Sequence, residues 1–459
     1  MTPPQSRLKR LVSKAQDAYY LNARQAKNSY FNLEPPPKHY IYLFIGLLSI
    51  FGFSIYKKYE TYRALRSGLS FEAKILNHYP KVNKNPKSKA VSEIVRFRDR
   101  HFNTYYGIYR GRFKDLKGLK ARIYGKIYNC SFIRFLRGCR LYQSSFDLVP
   151  DSSPRPFFKQ LINSQHESPT TASLFNALFL AKPLAKQVRN TITALGISHL
   201  VALSGLHLAS LSFFLLLVIA PIYHCIHKRL CYRNAAYDLG LLVLGFNFLY
   251  LNLIDFQPSF LRAFIMSALA FALLYSGLRI LNITNLLLCA LLALALYPSL
   301  AFDIGFILSV AGVFYIFLFM RYSLSETRLD SIKASLKWVA KNLVLFNVVL
   351  FLQLSPLVHA FLPYFSAFQL ASIPLSALFP LIFPALIGLH LLGLGGLFDS
   401  SIDWALALNL PLVEVSTPIW LLLSHLALSL LALRYKLAYL ASLVLAAVFF
   451  AYEVFIYIT

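Results

Sequence analysis

The sequence predicts a polytopic α-helical membrane protein with about 9–11 spanning helices, several of them broken, and one basic all-β domain inserted near its start. Three observations carry that prediction. Of 459 residues, 57% are apolar and only 14% charged, where a water-soluble chain of this size carries roughly 25% charged residues. Residues 199–223, 236–254 and 338–362 are long, apolar and nearly free of charge, and a bilayer core asks for roughly 20 such residues per helix. Residues 57–165 instead alternate short apolar and polar runs, and hold 24 Lys/Arg against seven acids, net +17 of the chain's +27.

Residues 1–38 form a polar tail ending in Pro35-Pro36-Pro37, with seven Lys/Arg against two acids. Such a composition builds no core, and its charge ahead of the first span predicts a cytoplasmic N-terminus. The apolar segment 39–56 follows without a small-residue cleavage site and reads as a signal anchor. One span from a cytoplasmic tail sets 57–165 outside. There Leu69–Leu76, Glu93–Arg98, Tyr105–Arg110 and Leu119–Tyr128 alternate apolar and polar residues between polar turns such as Pro80–Lys89, the pattern of a small closed barrel or sandwich. Cys130 and Cys139, nine apart, either pair across a hairpin or stand as free thiols. Cys225, Cys231 and Cys289 lie in or beside apolar segments and read as small apolar residues.

Residues 166–195 read as an amphipathic connector at the membrane surface, because Leu174, Leu178, Leu184 and Val188 recur at helical spacing among Lys182, Lys186 and Arg189. From residue 196 a helical bundle is expected, with spans near 199–223, 236–254, 259–278, 283–298, 303–320, 340–361, 366–396, 405–431 and 437–458. The basic loops His227–Arg233 and Arg321–Lys337 are expected on the cytoplasmic side. Prolines at 356, 363, 374, 380, 384, 411 and 418 crowd the late spans. Broken helices are tolerated in lipid only where they face protein or a water-filled cavity, so the bundle reads as a transporter or channel rather than an anchor.

Two constellations carry chemistry. Residues 101–114 interleave rings with cations, the combination that single-stranded nucleic acid needs: charge for phosphates, ring faces for unpaired bases. Anionic lipid headgroups are the competing partner. In the second, His199, Ser204 and His207 stand in an otherwise apolar stretch with Gly196, Ser198 and Gly205. Small-residue helix packing, a polar stripe lining a pore, a Ser/His hydrolase of intramembrane type and a metal site all remain open there, although the spacing fits no tight metal site. Arg262 and Asp303 are isolated charges in apolar surroundings, either simply interfacial, or able to pair with each other or, for Arg262, to meet a passing phosphate. Asp255, near a span end, and Glu414, beside a proline break, are either interfacial or buried.

The stretch Gly196–Leu208 resembles the signature of the ComEC family of competence proteins, the inner-membrane channels of natural transformation. The family pattern G-x-x-H-L-x-A-x-S-G-L-H is matched by Gly196, His199, Leu200, Ala202, Ser204, Gly205, Leu206 and His207. Arg262-Ala263 resembles the family's R-A block. Pro298-Ser299-Leu300, Asp303, Gly305-Phe306 and Leu308-Ser309 resemble its P-x-x-L-x-D-x-G-F-x-L-S block. Gln353, Pro356, Phe365-Ser366 and Pro374-Leu375 resemble the segment that follows. Three features depart: Gln369 stands where the family often has Asn, one span rather than two precedes the external domain, and the chain ends at Thr459 without the His/Asp motif of the metallo-β-lactamase-like domain that many members carry. No nuclease and no other enzyme activity is therefore expected.

The resemblance implies a channel carrying single-stranded DNA across a bacterial inner membrane, with an external OB-like domain at 57–165 and the channel at 196–459. Arg98, Tyr105, Tyr106, Tyr109, Arg110, Arg112, Phe113, Lys114 and Lys126 are then expected to hold DNA. His199, Ser204, His207, Arg262, Asp303, Gln353 and Gln369 are expected to line the passage. The implied partners are single-stranded DNA, a periplasmic DNA receptor, a cytoplasmic ATPase or single-strand-binding proteins, and the bilayer. The assembly, a homodimer among the options, is left open. No cofactor or metal is implied. No G-x-x-x-x-G-K-[ST] occurs, so the pulling force is expected from a partner or from binding on the cytoplasmic side. A small-molecule or lipid-precursor transporter and an intramembrane serine protease using Ser204 are the alternatives.

Overall fold

A computed structural model of the chain describes residues 38–80, 92–99, 101–111, 113, 116–150, 154–227, 234–275, 283–323 and 332–459. The tail before Lys38, the turn after Pro80, Arg112, Lys114, Cys231 and most of the two basic loops lie outside these residues. The first helix, α1 (Lys38–Ser67), is 30 residues long. It runs on past Tyr56, where the first span is expected to end, because Tyr62 and Leu65 of its second half are buried in the core of the next domain. The boundary expected at residue 57 therefore falls inside a helix.

That domain is a five-stranded closed barrel in the order β1-β2-β3-β5-β4. The strands are β1 (Leu69–Pro80), β2 (Ser92–Arg98), β3 (Thr104–Arg110), β4 (Lys120–Ile127) and β5 (Cys139–Val149), with a short helix α2 (Phe132–Arg137) before β5. The β3–β5 pair is parallel and the others antiparallel. The sheet is thus mixed, and one short helix stands between β4 and β5. Register shifts interrupt β1 between Ile75 and Asn77 and β4–β5 between Tyr124 and Lys126, and such irregularities supply the bend that closes a small barrel. Ile75, Val95, Phe97, Tyr105, Ala121, Ile123 and Phe135 fill the interior, each large side chain contributing about 2 kcal/mol of apolar burial. Cys130 and Cys139 are joined by a disulfide, with Cα atoms 6.2 Å apart, across α2.

The connector is not one surface helix. It is α3 (Arg155–Asn163), α4 (Pro169–Leu180) and α5 (Lys186–Ala194). In α4, Phe175 through Leu180 are buried on successive positions, so the helix is enclosed by protein on most sides instead of lying on lipid with one face.

The bundle comprises α6 (Ser198–Val201), α7 (Gly205–His227), α8 (Ala235–Leu253), α9 (Pro258–Tyr275), α10 (Ile283–Leu296), α11 (Ile304–Tyr322), α12 (Ile332–Phe361), α13 (Ser372–Leu391), α14 (Asp399–Ala407), α15 (Ile419–Leu431) and α16 (Lys436–Ile458). Six helical segments among the described residues are long and apolar enough to cross a membrane, and shorter apolar helices stand at Ser259–Ala272, Leu286–Leu296 and Ile419–Leu431. Leu381, Leu423, Val444 and Phe455 are at least 60% exposed on these helices, an apolar surface that only lipid or another apolar partner covers. The chain is a multi-pass helical membrane protein. The span expected at 405–431 is broken into α14, the two-residue strand β7 (Val413–Glu414) and α15. β7 pairs with β6 (Tyr364–Phe365), just before the span expected at 366–396. Within α13, Pro384 has no N–H to give the Pro380 carbonyl, and the Ser210 hydroxyl of α7 donates to that carbonyl at 2.8 Å.

Candidate nucleic-acid interface and translocation site

The aromatic and cationic residues of the barrel divide into two populations. Tyr105 is fully buried, its hydroxyl donating to Asp99 Oδ2 at 3.0 Å. Tyr109 and Phe113 pack against the core with Phe146. Arg98 reaches Asp303 of the bundle at 3.4 Å. Tyr106 is half-buried under the Arg96 guanidinium, 5.8 Å from ring centroid to charge. Of the residues expected to hold DNA, Arg110 and Lys126 are exposed, and Arg112 and Lys114 lie outside the described residues. The open face is on β4 and β5. Alternation along Lys120-Ala121-Arg122-Ile123-Tyr124-Gly125-Lys126-Ile127-Tyr128 buries Ala121, Ile123 and Ile127 and turns Arg122, Tyr124, Lys126 and Tyr128 outward. Lys126 pairs in register with Tyr142, which is 57% exposed. The Tyr142 and Tyr128 rings lie 5.8 Å apart, so two rings and one ammonium share a patch. Sequence reasoning favoured the ring-rich β3 segment. The β4 stripe was legible in the same alternating pattern, but which of two alternating strands turns its rings outward is set by barrel closure.

The opposite side of the barrel is bound to the bundle. Asp99 Oδ1 accepts from His101 N and Asn103 N at 2.9 and 2.8 Å, shaping the β2–β3 loop into a tight turn. Phe102 at its tip takes φ 61° and lies edge-on to Tyr297, with centroids 4.9 Å apart. Asn103 Oδ1 and Ser299 Oγ both accept from Lys58 Nζ, at 2.6 and 2.5 Å. Asp303 caps α11 by accepting from Phe306 N at 3.0 Å, and its two oxygens take Arg98 and Arg262 at 3.4 Å each. Arg262 also donates to Gly305 O at 2.8 Å. A Cβ at Gly305 would stand 3.0 Å from Asp303 Oδ1, which explains the glycine. A third tie joins Lys74 to Asp255 at 3.3 Å, with Arg155 on the same carboxylate oxygen. Burial, reinforced by Arg155, pushes the Lys74 ammonium down to about 8, with Asp255 opposing.

The stretch expected as one span from 199 is three pieces: α6, an extended break at Ala202–Ser204, and α7. Ser204 Oγ accepts from Leu206 N at 3.3 Å, and His207 Nδ1 accepts from Ser204 N at 3.1 Å. This is a reciprocal capping box with histidine in the place of Glu or Gln. His207 is 0% exposed and held between the Phe379 and Phe383 rings, centroids 4.7 Å from each. Its Nδ1 is committed as an acceptor, so the pair is bonded as a helix start. His199, by contrast, is on an exposed face with Nε2 3.0 Å from Ser376 Oγ. Gly196, at φ +68°, brings the break against Gln369, whose backbone a Cβ there would meet at 3.1 Å. Gln369 and Gln353 are buried, donating to Tyr364 O at 2.9 Å and Ser442 Oγ at 3.0 Å.

Sequence reasoning missed a histidine pair drawn from distant segments. His166 bonds Asp399 at 2.8 Å and His390 at 3.1 Å, and stacks on Phe175 with centroids 4.6 Å apart. This clamps the connector to the end of α13 and the start of α14.

No curated protein and no solved structure matches this chain. Residues 181–459 match the family model described as Competence protein. That match takes in the capped helix start, the Arg262–Asp303 pair and every helix of the bundle, more than half of the 459 residues, and the chain belongs to the Competence protein family.

Proposed function

We propose that this protein is a channel for single-stranded DNA across the bacterial inner membrane during natural transformation, with the barrel on the periplasmic side. The observation that carries the reading is the outward face of β4–β5, where Tyr124, Tyr128 and Tyr142 alternate with Arg122 and Lys126 on a barrel tied to the bundle. Rings on such a face stack on bases at about 1–3 kcal/mol each and cations track phosphates. The strand order β1-β2-β3-β5-β4 of a closed five-stranded barrel supports an OB-like use of the domain. A strand held there passes into the bundle beside the break before α7, where His199 and Ser204 supply polar contacts weak enough for release. A periplasmic receptor delivers the DNA, and a cytoplasmic ATPase or single-strand-binding protein draws it in.

The test measures both halves of the reading. The full chain in nanodiscs is titrated with a labelled oligothymidylate at several salt concentrations, and cytoplasmic uptake of labelled DNA is followed in cells. Replacing Tyr124, Tyr128 and Tyr142 together by Ala is expected to weaken binding at least about 100-fold and to reduce uptake in parallel. His199→Ala is expected to reduce uptake with binding unchanged. Equal affinity for anionic vesicles and DNA, together with normal uptake in both variants, overturns the proposal in favour of a lipid-precursor transporter.

A further inference from the structure

Four helices of the bundle, α11, α12, α15 and α16, enclose a second polar system that the DNA reading does not use. α11 contributes Tyr315; α12 contributes Gln353, Ser355 and His359; α15 contributes His425 and Ser429; α16 contributes Tyr439, Ser442 and Glu453. All nine are at most 5% exposed. Glu453, fully buried, is ion-paired with His359 and accepts from Ser355 Oγ at 3.1 Å. Ionisable groups at such depth in a membrane bundle are costly and mark functional sites.

Counting donors against acceptors identifies what the seam takes. The Gln353 carbonyl can only accept, so His425 Nε2, 3.0 Å away, carries the hydrogen. Tyr315 OH lies 2.9 Å from the same nitrogen and 3.1 Å from Ser429 Oγ, which donates to His425 O. Neutral His425 therefore holds its lone pair on Nδ1, and that atom has no partner among the described residues. Gln353 Nε2 donates to Ser442 Oγ at 3.0 Å, and Ser442 donates to Tyr439 O. Gln353 Oε1 is left without a donor. Two orphaned acceptors in the same seam amount to a shortage of hydrogens. Buried acceptors of this kind cost free energy until a donor arrives. An anion cannot supply one, and no group of metal-ligating side chains stands among the described residues.

The seam is also long enough to matter. Tyr439 and Glu453 lie on one face of α16, and their separation of 14 positions spans about 21 Å at 1.5 Å per residue, against a hydrocarbon core of about 30 Å. At one end Tyr439 OH meets Ser323 Oγ at 2.7 Å, with Arg321 and Tyr322 bonding the Leu433 and Ala432 carbonyls beside it. At the other end His359 lies against Phe365 and Phe449, close to the end of α12.

We propose that this seam is a proton-binding and proton-conducting path through the membrane. Glu453 is its proton acceptor, His359 its ion-pair partner, and His425 Nδ1 and Gln353 Oε1 are the intermediate acceptors. A proton entering converts the Glu453 carboxylate to a carboxylic acid, frees His359 from its ion pair, and leaves again as H+ on the far side, with no other atom or electron transferred. Proton movement of this kind gives the bundle access to a membrane potential.

The experiment needs no DNA, so its outcome stands apart from the translocation reading. The full chain is reconstituted in liposomes holding a pH-sensitive dye, the potential is clamped with potassium and valinomycin, and an external acid step is applied. The wild type is expected to acidify the lumen at least tenfold faster than protein-free liposomes, with Glu453→Gln returning to the protein-free rate. Circular dichroism and size exclusion check that this variant folds; if it does not, Gln353→Leu serves, with an expected loss of at least fivefold. Wild-type flux no faster than the protein-free control, or undiminished flux in the folded variants, overturns the proposal. So does uptake of radioactive sodium in place of protons.

Discussion

The two sides of the barrel carry similar residue types and use them in opposite ways. Toward the bundle, Arg98, Lys58 and Lys74 are spent on Asp303, Asn103, Ser299 and Asp255, and Phe102 is wedged against Tyr297. On the β4–β5 side, Lys126, Tyr128 and Tyr142 face solvent. A cation paired with a half-buried carboxylate has lost its freedom to meet a phosphate, and a ring in a core cannot stack on a base. Composition alone therefore says little about where a basic, aromatic-rich domain binds; the junction has first call on part of its charge.

That contrast predicts a crossover. Junction variants should lower stability and leave DNA affinity alone, and variants of the open face should do the reverse. The largest effect is expected from Asp303→Ala, which strips a cap and leaves Arg262 buried without its carboxylate. A loss of about 3–5 kcal/mol should appear as a steep fall in thermal midpoint in nanodiscs, with oligothymidylate affinity unchanged in the surviving fraction. Phe102→Ala should cost about 2 kcal/mol by removing a wedge from the bundle; an unchanged midpoint would show that the loop contact is incidental. On the open face, Tyr128→Ala should weaken DNA binding by about 1–3 kcal/mol without moving the midpoint.

A pH effect sharpens the same contrast. Folded Lys74 releases its proton near pH 8, whereas the unfolded side chain keeps it to about 10.5. Between these values the unfolded state binds more protons, so stability rises with pH, by about 1–2 kcal/mol once partial solvent screening is allowed for. Below pH 8 both states are protonated and this slope vanishes. Lys74→Met should abolish the rise in thermal midpoint between pH 8 and 10. The smallest effect belongs to Lys126→Gln, expected to flatten the salt dependence of single-strand binding by about 0.7 in log–log slope.

Much of this arrangement is readable from the chain. Apolar runs mark the bundle because a helix in lipid must satisfy its backbone internally, and period-two alternation marks β1 through β4. The Arg262–Asp303 pair is one of the three options their sequence surroundings leave open. What local pattern cannot supply is closure. Tyr105 and Tyr124 sit in equally regular alternation, yet one is core and the other is 40% exposed, because the curvature of the sheet decides its inside. The same limit hides the role of His207. Its spacing from Ser204 suggests a shared helical face, but the helix breaks after Val201, and the His207 side chain turns back onto the Ser204 backbone as a cap. Glu453 and His359, or His166, His390 and Asp399, stand too far apart in sequence for any local signature to join them.

The fork at Asp303 has a mechanical corollary. A domain hung on a flexible linker explores a volume and must find the membrane entrance again after each encounter, at an effective concentration governed by linker length. Here α1 enters the barrel as a continuous helix, and one carboxylate holds β2 and α9 to the start of α11. The barrel is therefore held to the bundle by α1 and by this carboxylate rather than by a linker; under the proposed function, a strand gripped on its outer wall reaches the bundle without a diffusional search between capture and entry.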